Sequence, residues 1–554
     1  MQLTRIALIA VPLAGLSLAL GPQRLAAQGP AGAPQAAGRT AATKSALPAW
    51  RRDGHDWPMG GGNDANTRSN PAEHRISPRD AGQLKLVWSA TVHGSVSATP
   101  AVVHGAVYVT DWGGYLTKFD AATGRVIWSD PVSDYDGIPG SIARTSPVVS
   151  GGTVYIGDQN SEASPVAGGL GAHLIAVNAR TGRLRWQTVV DDQNSAVLTG
   201  SPVIYRGVVY QAVSSREEPM ATQPSYHCCV FRGSLVAVNA TTGKVLWQTF
   251  TVPPNGGQPG GYPGGAVWSS TPVIDAADGT VVITTGNNYE LPPSVLACQQ
   301  AGGTAAQCLS PADHINSIMA LSLRTGAVRW TSGMPAFDAW NAGCLPEFHN
   351  GNCPADTGPD ADFADGAHLS VLRNAHGQRE RVIFAGQKSG IYWAVDAASG
   401  KILWGTRVGP GGLQGGIMWG SATDGQRIYA AEADDQSLPY TLPAGQTINY
   451  GSFAALDPAT GRVLWQVPDP KGAADKAALT VANGVLYAGS MSGTMYALNA
   501  ANGAILWQYQ GAGSSNAGPA VVGSCVYWGN GYGIDGVGTQ STTFYAFGLG
   551  GRCS

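Results

Sequence analysis

Three short polar segments in an apolar, glycine-rich sequence carry residue types that could do chemistry. They are Ser214-Ser-Arg-Glu-Glu218, Thr284-Thr-Gly-Asn287 and Asp360-Ala-Asp362-Phe363. Carboxylate and amide oxygens are the ligands that hard cations prefer, and a carboxylate can accept a proton from a hydroxyl group as a general base. If the fold brings the three segments together, they supply both a cation site and a base.

The eight cysteines form a second chemical set, and they stand as local pairs. The pairs are Cys228 with Cys229, Cys298 with Cys308, Cys344 with Cys353, and Cys525 with Cys553. An even number in local pairs predicts four disulfides and an oxidising compartment. The adjacent pair either marks a functional loop or only stiffens it. The sequence has no Cys-x-x-Cys or Cys-x-x-His spacing for a metal and no Cys-x-x-Cys-His motif for covalent c-type haem.

A ten-residue cassette that recurs seven times predicts the elements that must position these residues. It runs from Phe119-Asp-Ala-Ala-Thr-Gly-Arg-Val-Ile-Trp128 to Leu498-Asn-Ala-Ala-Asn-Gly-Ala-Ile-Leu-Trp507, each time with Gly four residues before Trp. Alternating apolar runs upstream predict short strands joined by tight turns, in which Gly takes the positive φ. The Trp is expected to pack between neighbouring units. This regular repeat predicts an all-β propeller.

The two ends of the sequence predict the number of blades. Trp88 has no cassette in front of it, and the last cassette-like strand, Phe544-Tyr-Ala-Phe-Gly548, has no Trp after it. If the N-terminal strand completes the last blade, the ring closes without an open sheet edge. We therefore predict an eight-bladed propeller over 49–554, with Trp-docking repeats and closure by pairing of the N- and C-terminal strands.

Composition and the first residues predict the setting. A net charge of -3 with 12% charged residues indicates no basic patch for nucleic acid, which leaves small soluble ligands as partners. Arg5 precedes an apolar run that is short for a membrane span, followed by small residues at 25–27. This pattern predicts a signal peptide over 1–27, with a retained anchor as the alternative, and a flexible leader over 28–48. The expected location is periplasmic or secreted.

Several motifs resemble the pyrroloquinoline quinone (PQQ)-dependent alcohol dehydrogenases. Besides the Gly-x-x-x-Trp blades, the polar segments at 284–289 and 360–363, and the opening Asp56-Trp57-Pro-Met-Gly-Gly-Gly-Asn63, carry the likeness from about Trp50 onward. The segment 214–218 followed by Cys228-Cys-Val-Phe-Arg-Gly233 is most similar to the polyvinyl-alcohol dehydrogenase branch, without a fused haem domain. The resemblance implies oxidation of an alcohol, such as a secondary or polymeric one, to a carbonyl compound with PQQ and Ca²⁺. Electrons would pass to an external acceptor such as cytochrome c.

The same resemblance implies the residues that bind the cation and remove the proton. Ca²⁺ ligands would be Glu218, with Glu217 as the alternative one residue away, together with Asn287 and Asp362. Asp362 would also be the base, because an aromatic residue and then an apolar strand follow it. Asp338 lies nearer the usual spacing but is followed by Ala, and it stays the alternative.

A further carboxylate marks the relatives that use lanthanides, and it stands two residues beyond the base. In this sequence that position is Ala364, which favours Ca²⁺, although Asp365 next to it keeps the question open.

Cofactor contacts are implied in the same way. Arg144, Thr199 and Ser215 resemble the positions that bind the cofactor carboxylates, Trp268 the stacking Trp, and Lys388 the cation at the quinone oxygens. Trp268 has a blade-core role as its alternative. In methanol-type relatives the adjacent cysteines precede the Arg, whereas in this chain they follow the Glu, so their contact with the cofactor stays open. Two other functions remain: a non-catalytic propeller scaffold, and a quinone- or polymer-binding module of the periplasm.

Overall fold

The repeated cassette folds into blades, as predicted. The computed structural model describes residues 56–159, 171–269, 271–333, 336–373, 376–533 and 536–553. Within these ranges, eight blade sheets follow one another along the chain. Each has four antiparallel strands, and two of them carry a short fifth strand, Ala196–Val197 in one and the parallel Ser69–Asn70 in the other. This confirms the eight-bladed propeller. The predicted signal peptide (1–27) and leader (28–48) lie outside the described residues.

Blades 1 to 7 are each an up-and-down sheet of four strands that follow one another in chain order. Blades 1 to 4 comprise Ala101–Val103, Ala106–Thr110, Tyr115–Asp120 and Val126–Pro131; Val148–Ser150, Thr153–Gly157, Ala172–Asn178 and Leu184–Asp191; Val203–Tyr205, Val208–Ser215, Ser234–Asn239 and Val245–Phe250; Val273–Asp275, Thr280–Thr284, Ser317–Ser322 and Val328–Gly333. Blades 5 to 7 comprise His368–Arg373, Arg379–Gly386, Ile391–Asp396 and Ile402–Arg407; Ala422–Thr423, Ile428–Glu432, Ser452–Leu456 and Val463–Pro468; Thr480–Ala482, Val485–Gly489, Thr494–Asn499 and Ile505–Gln510.

Blade 8 closes the ring with strands from both ends of the described chain. Its first three strands are Ala520–Val522, Cys525–Trp528 and Thr543–Leu549, and its fourth is Leu84–Thr91. The last two pair antiparallel, with Trp88 opposite Ala546. The predicted closure is therefore confirmed, and it leaves no open edge between the first and last blades.

Trp88 and the Trp of six of the seven cassettes dock on the Gly of the next blade, whereas the last, Trp507, donates its Nε1 to the Leu84 carbonyl. Trp88 Nε1 donates to the Ala121 carbonyl at 3.0 Å, and a Cβ on Gly124, whose φ is +71°, would come within 2.6 Å of the Trp88 ring. The same contact joins six further pairs: Trp128 with Gly182, Trp186 with Gly243, Trp247 with Gly326, Trp330 with Gly400, Trp404 with Gly461, and Trp465 with Gly503. The cassette needs Gly both for its turn and for the ring that lies on it.

Residues 56–73, which precede the strand Leu84–Thr91, run around the inside of the ring. We call this segment the N-terminal strap. Backbone or side-chain hydrogen bonds join it to the first strand of blades 1, 2, 4, 5, 6, 7 and 8, at Val102, Val149, Ile274, Leu369, Thr423, Val481 and Val521. The first strand of each blade is therefore the innermost one. The fourth strands carry the exposed apolar side chains and face outward.

The remaining elements are short and lie in the loops. Helices span Ser133–Asp136, Glu217–Met220, Pro293–Gln300 and Ala305–Cys308, with 3-10 turns at Ala81–Gln83 and Ala342–Cys344; short strands lie at Ser69–Asn70, Ala196–Val197, Tyr440–Thr441 and Thr447–Ile448. The four predicted cysteine pairs are bonded in the structure. Within the described ranges, no helix has the length and apolar character needed to cross a membrane.

Candidate active site

The second strand of every blade ends at the same face of the ring, because each blade runs up and down in the same order. In blades 3, 4 and 5 these strands end at Ser215, Thr284 and Gly386. Two or three residues later come polar side chains that the sequence singled out: Glu218, Asn287 and Lys388. The repeat therefore delivers one chemical group from each of three successive blades to one face.

Asp362 lies where these groups meet, and its side chain is buried. Its Oδ1 accepts a hydrogen bond from the backbone N–H of Asn287 at 2.6 Å. Its Oδ2 accepts one from Trp268 Nε1 at 2.9 Å. Lys388 Nζ lies 3.1 Å from Oδ2. The structure thus brings together four residues that the sequence placed in the site.

Lys388 is shared by several carboxylates. Its Nζ lies 2.9 Å from both carboxylate oxygens of Asp360, a buried residue. Burial acts to lower the pKa of Lys388, but the charges of Asp360, Asp362 and Glu218 outweigh it and raise the pKa above its usual range. Three carboxylates around one ammonium leave an excess of negative charge, which a hard divalent cation would balance.

Of the two adjacent glutamates, Glu217 has a structural partner set. Its Oε1 accepts hydrogen bonds from the Tyr226 hydroxyl at 2.6 Å and the Val230 amide at 2.7 Å, and its Oε2 accepts one from the Phe231 amide at 2.7 Å. Burial raises the pKa of Glu217, and these donors oppose the rise. Glu217 therefore holds the loop that contains the adjacent cysteines. Glu218 is the glutamate whose charge acts on Lys388.

Asp338, the alternative base, holds the backbone that carries Asp360 and Asp362. Its Oδ1 accepts a hydrogen bond from the Asp360 amide at 2.9 Å, and its Oδ2 accepts from the Ala361 amide at 2.7 Å and from Asn316 Nδ2 at 2.6 Å. Both oxygens accept hydrogen bonds from the protein, as those of Asp362 do, and two of these bonds hold the backbone of the segment at Asp360 and Ala361.

Asp365 stands next to the position that carries a carboxylate in the lanthanide-using relatives. Its own carboxylate oxygens accept hydrogen bonds from residues outside the Lys388 cluster. It accepts hydrogen bonds from the Ser421 amide at 2.9 Å, the Ser421 hydroxyl at 2.5 Å and the Gly386 amide at 3.1 Å. Burial raises its pKa to about 6, although these donors and Arg68 act in the opposite direction. Asp365 joins blades 5 and 6 at the inner side of the ring.

An aromatic and polar channel continues from Trp268 toward Arg144. The Trp268 ring meets Trp419 edge to face, with centroids 5.2 Å apart. The guanidinium carbon of Arg144 lies 4.6 Å from the Trp419 ring and 5.2 Å from that of Trp112, and the Thr199 hydroxyl donates to the Trp268 carbonyl at 2.5 Å. Arg144, Thr199 and Trp268, three of the side chains predicted to bind the cofactor, therefore form one connected group with Trp419.

Ser215 is placed differently from Arg144 and Thr199. Its hydroxyl accepts a hydrogen bond from the backbone N–H of Glu217 at 3.1 Å. A hydrogen bond between Ser215 and Tyr289 opposes the rise in the pKa of Tyr289 that burial causes. It therefore supports the start of the short helix at Glu217–Met220, on the cation side of the site.

Sequence reasoning missed Trp419, for which a signal existed, and gave Asp360 no role of its own within its polar segment. Gly415-Gly-Ile-Met-Trp419 repeats the pattern of Gly264-Gly-Ala-Val-Trp268, and the two rings meet in the channel. For Asp360 the left-handed backbone, with φ at +57°, turns the segment toward Lys388, a feature that no sequence pattern indicates.

The insertion after Trp330 covers the Asn287 side of the site. Asn287 Nδ2 donates to the Trp340 carbonyl at 2.9 Å. Next to it, Asn341 Nδ2 donates to the Asn352 carbonyl at 2.8 Å and lies 3.8 Å from Cys228 Sγ. The adjacent cysteines thus contact the insertion at Asn341. This residue follows Trp340, whose carbonyl accepts the hydrogen bond from Asn287.

The acidic cluster is not a complete metal cage by itself. Among the described residues, no group of three or more His, Cys, Asp or Glu side chains is arranged to hold a metal ion. The oxygen donors at this point fit a hard cation in charge and type.

Comparisons with known proteins identify relatives of this chain. A family model described as "Outer membrane protein assembly factor BamB" matches residues 75–332 and 314–535. The chain is 31% identical over 525 residues to a polyvinylalcohol dehydrogenase of Sphingopyxis sp. strain 113P3, covering 85% of this chain and 73% of that one. It is 34% identical over 161 residues to a 1-butanol dehydrogenase (cytochrome c) of Thauera butanivorans, covering 28% of this chain and 22% of that one.

Among solved structures, the quinohemoprotein alcohol dehydrogenase of Comamonas testosteroni has the same fold. It superposes with a TM-score of 0.67 at 21% identity and covers 90% of this chain and 81% of its own. The sequence likeness to the polyvinylalcohol dehydrogenase extends over most of this chain. The chain belongs to the PQQ-dependent alcohol dehydrogenase family, in the branch of the polyvinylalcohol dehydrogenases.

Proposed function

We propose that this chain oxidises an alcohol to a carbonyl compound with PQQ in the central channel and Ca²⁺ beside Asp362, in the periplasm or after secretion. The observation that supports this most strongly is the meeting of Asp362, Asn287, Lys388 and Trp268 at one buried point. A propeller that served only as a scaffold would have no need to bury two carboxylates, those of Asp360 and Asp362, against one ammonium, because such clusters are costly.

When bound, PQQ supplies a two-electron oxidant and Ca²⁺ supplies a Lewis acid for its carbonyl group. Glu218, Asn287 and Asp362 would hold the cation, and Arg144 and Thr199 would hold cofactor carboxylates. Trp268 offers an aromatic face, and its Nε1, 2.9 Å from Asp362 Oδ2, fixes the orientation of that carboxylate.

Asp362 acts as the general base and takes the proton from the substrate hydroxyl. The Asn287 amide and Trp268 Nε1 donate to its two oxygens, so the carboxylate is held in one orientation before the substrate arrives. Lys388 Nζ, 3.1 Å from Oδ2, forms an ion pair with this carboxylate. Asp338 instead keeps the backbone of this segment in place.

The substrate is a secondary or polymeric alcohol such as polyvinyl alcohol, and electrons leave to a separate cytochrome c. The name of the 31% identical relative supports the first statement, and that of the Thauera relative supports the second. No Cys-x-x-Cys-His motif occurs in this sequence, so a covalent c-type haem within it is not expected to take the electrons.

The test is reconstitution of the apo-protein with PQQ and Ca²⁺, assayed with an artificial electron acceptor on primary, secondary and polymeric alcohols. We expect a bound-quinone spectrum and turnover that depends on both additions. A bound-quinone spectrum without turnover on any alcohol would favour the binding module. Absence of both would favour the scaffold and overturn the proposal.

A further inference from the structure

A small polar cavity of about 50 Å³ lies on the axis of the ring, next to Arg144 and Trp419. Four successive blades contribute a pair of side chains to it, and in each pair the second residue precedes the proline before the first strand. The pairs are Ser97 with Thr99, Arg144 with Ser146, Thr199 with Ser201, and Ser269 with Thr271. The cavity has room for a carboxylate group, and its wall is rich in hydroxyl donors.

Arg68 of the N-terminal strap completes this wall, and its side chain is buried. Its Nε donates to the Leu479 carbonyl at 2.8 Å and its Nη2 to the Thr99 hydroxyl at 2.6 Å. Its Nη1 donates to no described residue. A guanidinium has five N–H groups, so Arg68 retains donors for a further partner.

No described carboxylate lies within 4.0 Å of the Arg68 guanidinium. Asp365, whose charge acts on it, gives its own oxygens to Ser421 and Gly386. Burial lowers the pKa of Arg68 to about 10, and Asp365 opposes this only in part. A buried charge without an ionic partner is unfavourable, so the arrangement indicates that a second anion belongs in the cavity.

We propose that Arg68 binds a carboxylate of PQQ in this cavity, together with Arg144, and so fixes which edge of the cofactor enters the channel. The inference rests on the proposed function. PQQ is a flat tricarboxylate, and a guanidinium binds a carboxylate through two parallel hydrogen bonds. With the carboxylate edge held at Arg68, the quinone edge is left for Lys388 and Asp362 at the other end of the channel.

A role limited to holding the strap would give a different response to mutation. The Leu479 and Thr99 contacts need donors but no net charge, whereas a cofactor carboxylate needs the charge. The charge therefore separates the two roles, and the test compares ligands with and without carboxylate charge.

The experiment titrates PQQ, and separately PQQ trimethyl ester, into apo-protein in the presence of Ca²⁺, using isothermal calorimetry. Wild type is compared with Arg68→Gln, with Arg68→Lys, and with Arg407→Gln as the control. Arg407 also donates to backbone carbonyls, those of Ser389 and Gly409, but does not line the cavity. Circular dichroism melts of each apo-protein check the fold.

We expect Arg68→Gln to weaken PQQ binding roughly ten- to a hundredfold, the usual size of a charged hydrogen-bond contribution, and to leave ester binding within about threefold. The control should change neither. Unchanged PQQ binding, or an equal loss for PQQ and ester, would overturn the inference.

Two further outcomes are informative. If Arg68→Gln does not fold, Arg68→Lys decides. Lysine keeps the charge but cannot form the two parallel hydrogen bonds of a guanidinium, so the ratio of PQQ affinity to ester affinity should fall. An unchanged ratio overturns the inference. If wild type binds no PQQ, the proposed function fails first and the inference falls with it.

Discussion

Replacing Lys388 by Met removes an ammonium that several carboxylates share. The Nζ lies 2.9 Å from both oxygens of Asp360 and 3.1 Å from Asp362 Oδ2, and all three side chains are buried. Met has a similar length but no charge. The variant therefore leaves the carboxylates facing one another without a compensating cation.

The expected cost follows from that loss. Removing one partner of a buried ion pair destabilises a protein by about 3–5 kcal/mol, because the remaining charge stays buried. For the 554 residues of the chain, an unfolding entropy of about 2.1 cal/mol/K per residue gives about 1.2 kcal/mol per kelvin. The melting temperature of the apo-protein should therefore fall by about 3–4 °C.

The assay is thermal unfolding of apo-protein at one scan rate, with and without Ca²⁺, because large proteins often unfold irreversibly. Lys401→Met, at an exposed site, is the control and should melt with wild type. Ca²⁺ should stabilise Lys388→Met more than wild type, since the cation would replace the lost charge. A variant that melts within 1 °C of wild type without Ca²⁺ would refute the shared-ammonium account.

Three further predictions test the site and the fold. Trp268→Phe removes the hydrogen bond to Asp362, and steady-state kinetics of the reconstituted enzyme should show kcat falling by about tenfold or more with PQQ still bound. Burial raises the pKa of Glu432 to about 8. Between pH ~4.5 and about 8 the folded state therefore holds a proton that the unfolded state has released. Stability falls as the pH rises through this range. Melts of Glu432→Gln should match wild type near pH 4.5 and exceed it at pH 8; equal melts at both would contradict the shift. Gly400→Ala, whose Cβ would press on a Trp ring, should destabilise more in denaturant titrations than Gly105→Ala, which meets no neighbour within 4 Å at a similar positive φ; equal losses would refute the docking role.

The architecture was predictable because one local pattern encodes it many times. The Gly of each cassette meets two independent needs, the turn and the neighbouring ring, so the spacing from Gly124 to Trp128 marks a blade. Closure followed from two unmatched halves, Trp88 and Phe544. The strap was not predictable, because residues such as Ala65 and Thr67 contact different blades through backbone groups that leave no pattern in the sequence.

The site was predictable where a residue belongs to a motif that resembles the family. Asn287 and Lys388 follow second strands directly, and the structure brings both to Asp362. The sequence could not distinguish Glu217 from Glu218, because the two glutamates are adjacent. Only the structure shows that Glu217 accepts hydrogen bonds from Tyr226, Val230 and Phe231, whereas the charge of Glu218 acts on Lys388. Arg68 escaped for the same reason: its partners Leu479 and Thr99 are distant in sequence and come together only when the ring closes.

The most direct test of the account compares Asp362→Asn with Asp338→Asn, each loaded with PQQ and Ca²⁺, in single-turnover oxidation of a secondary alcohol. Both variants should bind the cofactor. If Asp362 is the base, Asp362→Asn should slow the chemical step by about 10²–10⁴-fold, whereas Asp338→Asn should lower the melting temperature and slow the step by less than about tenfold. A wild-type rate in Asp362→Asn, or the larger loss in Asp338→Asn, would contradict the assignment.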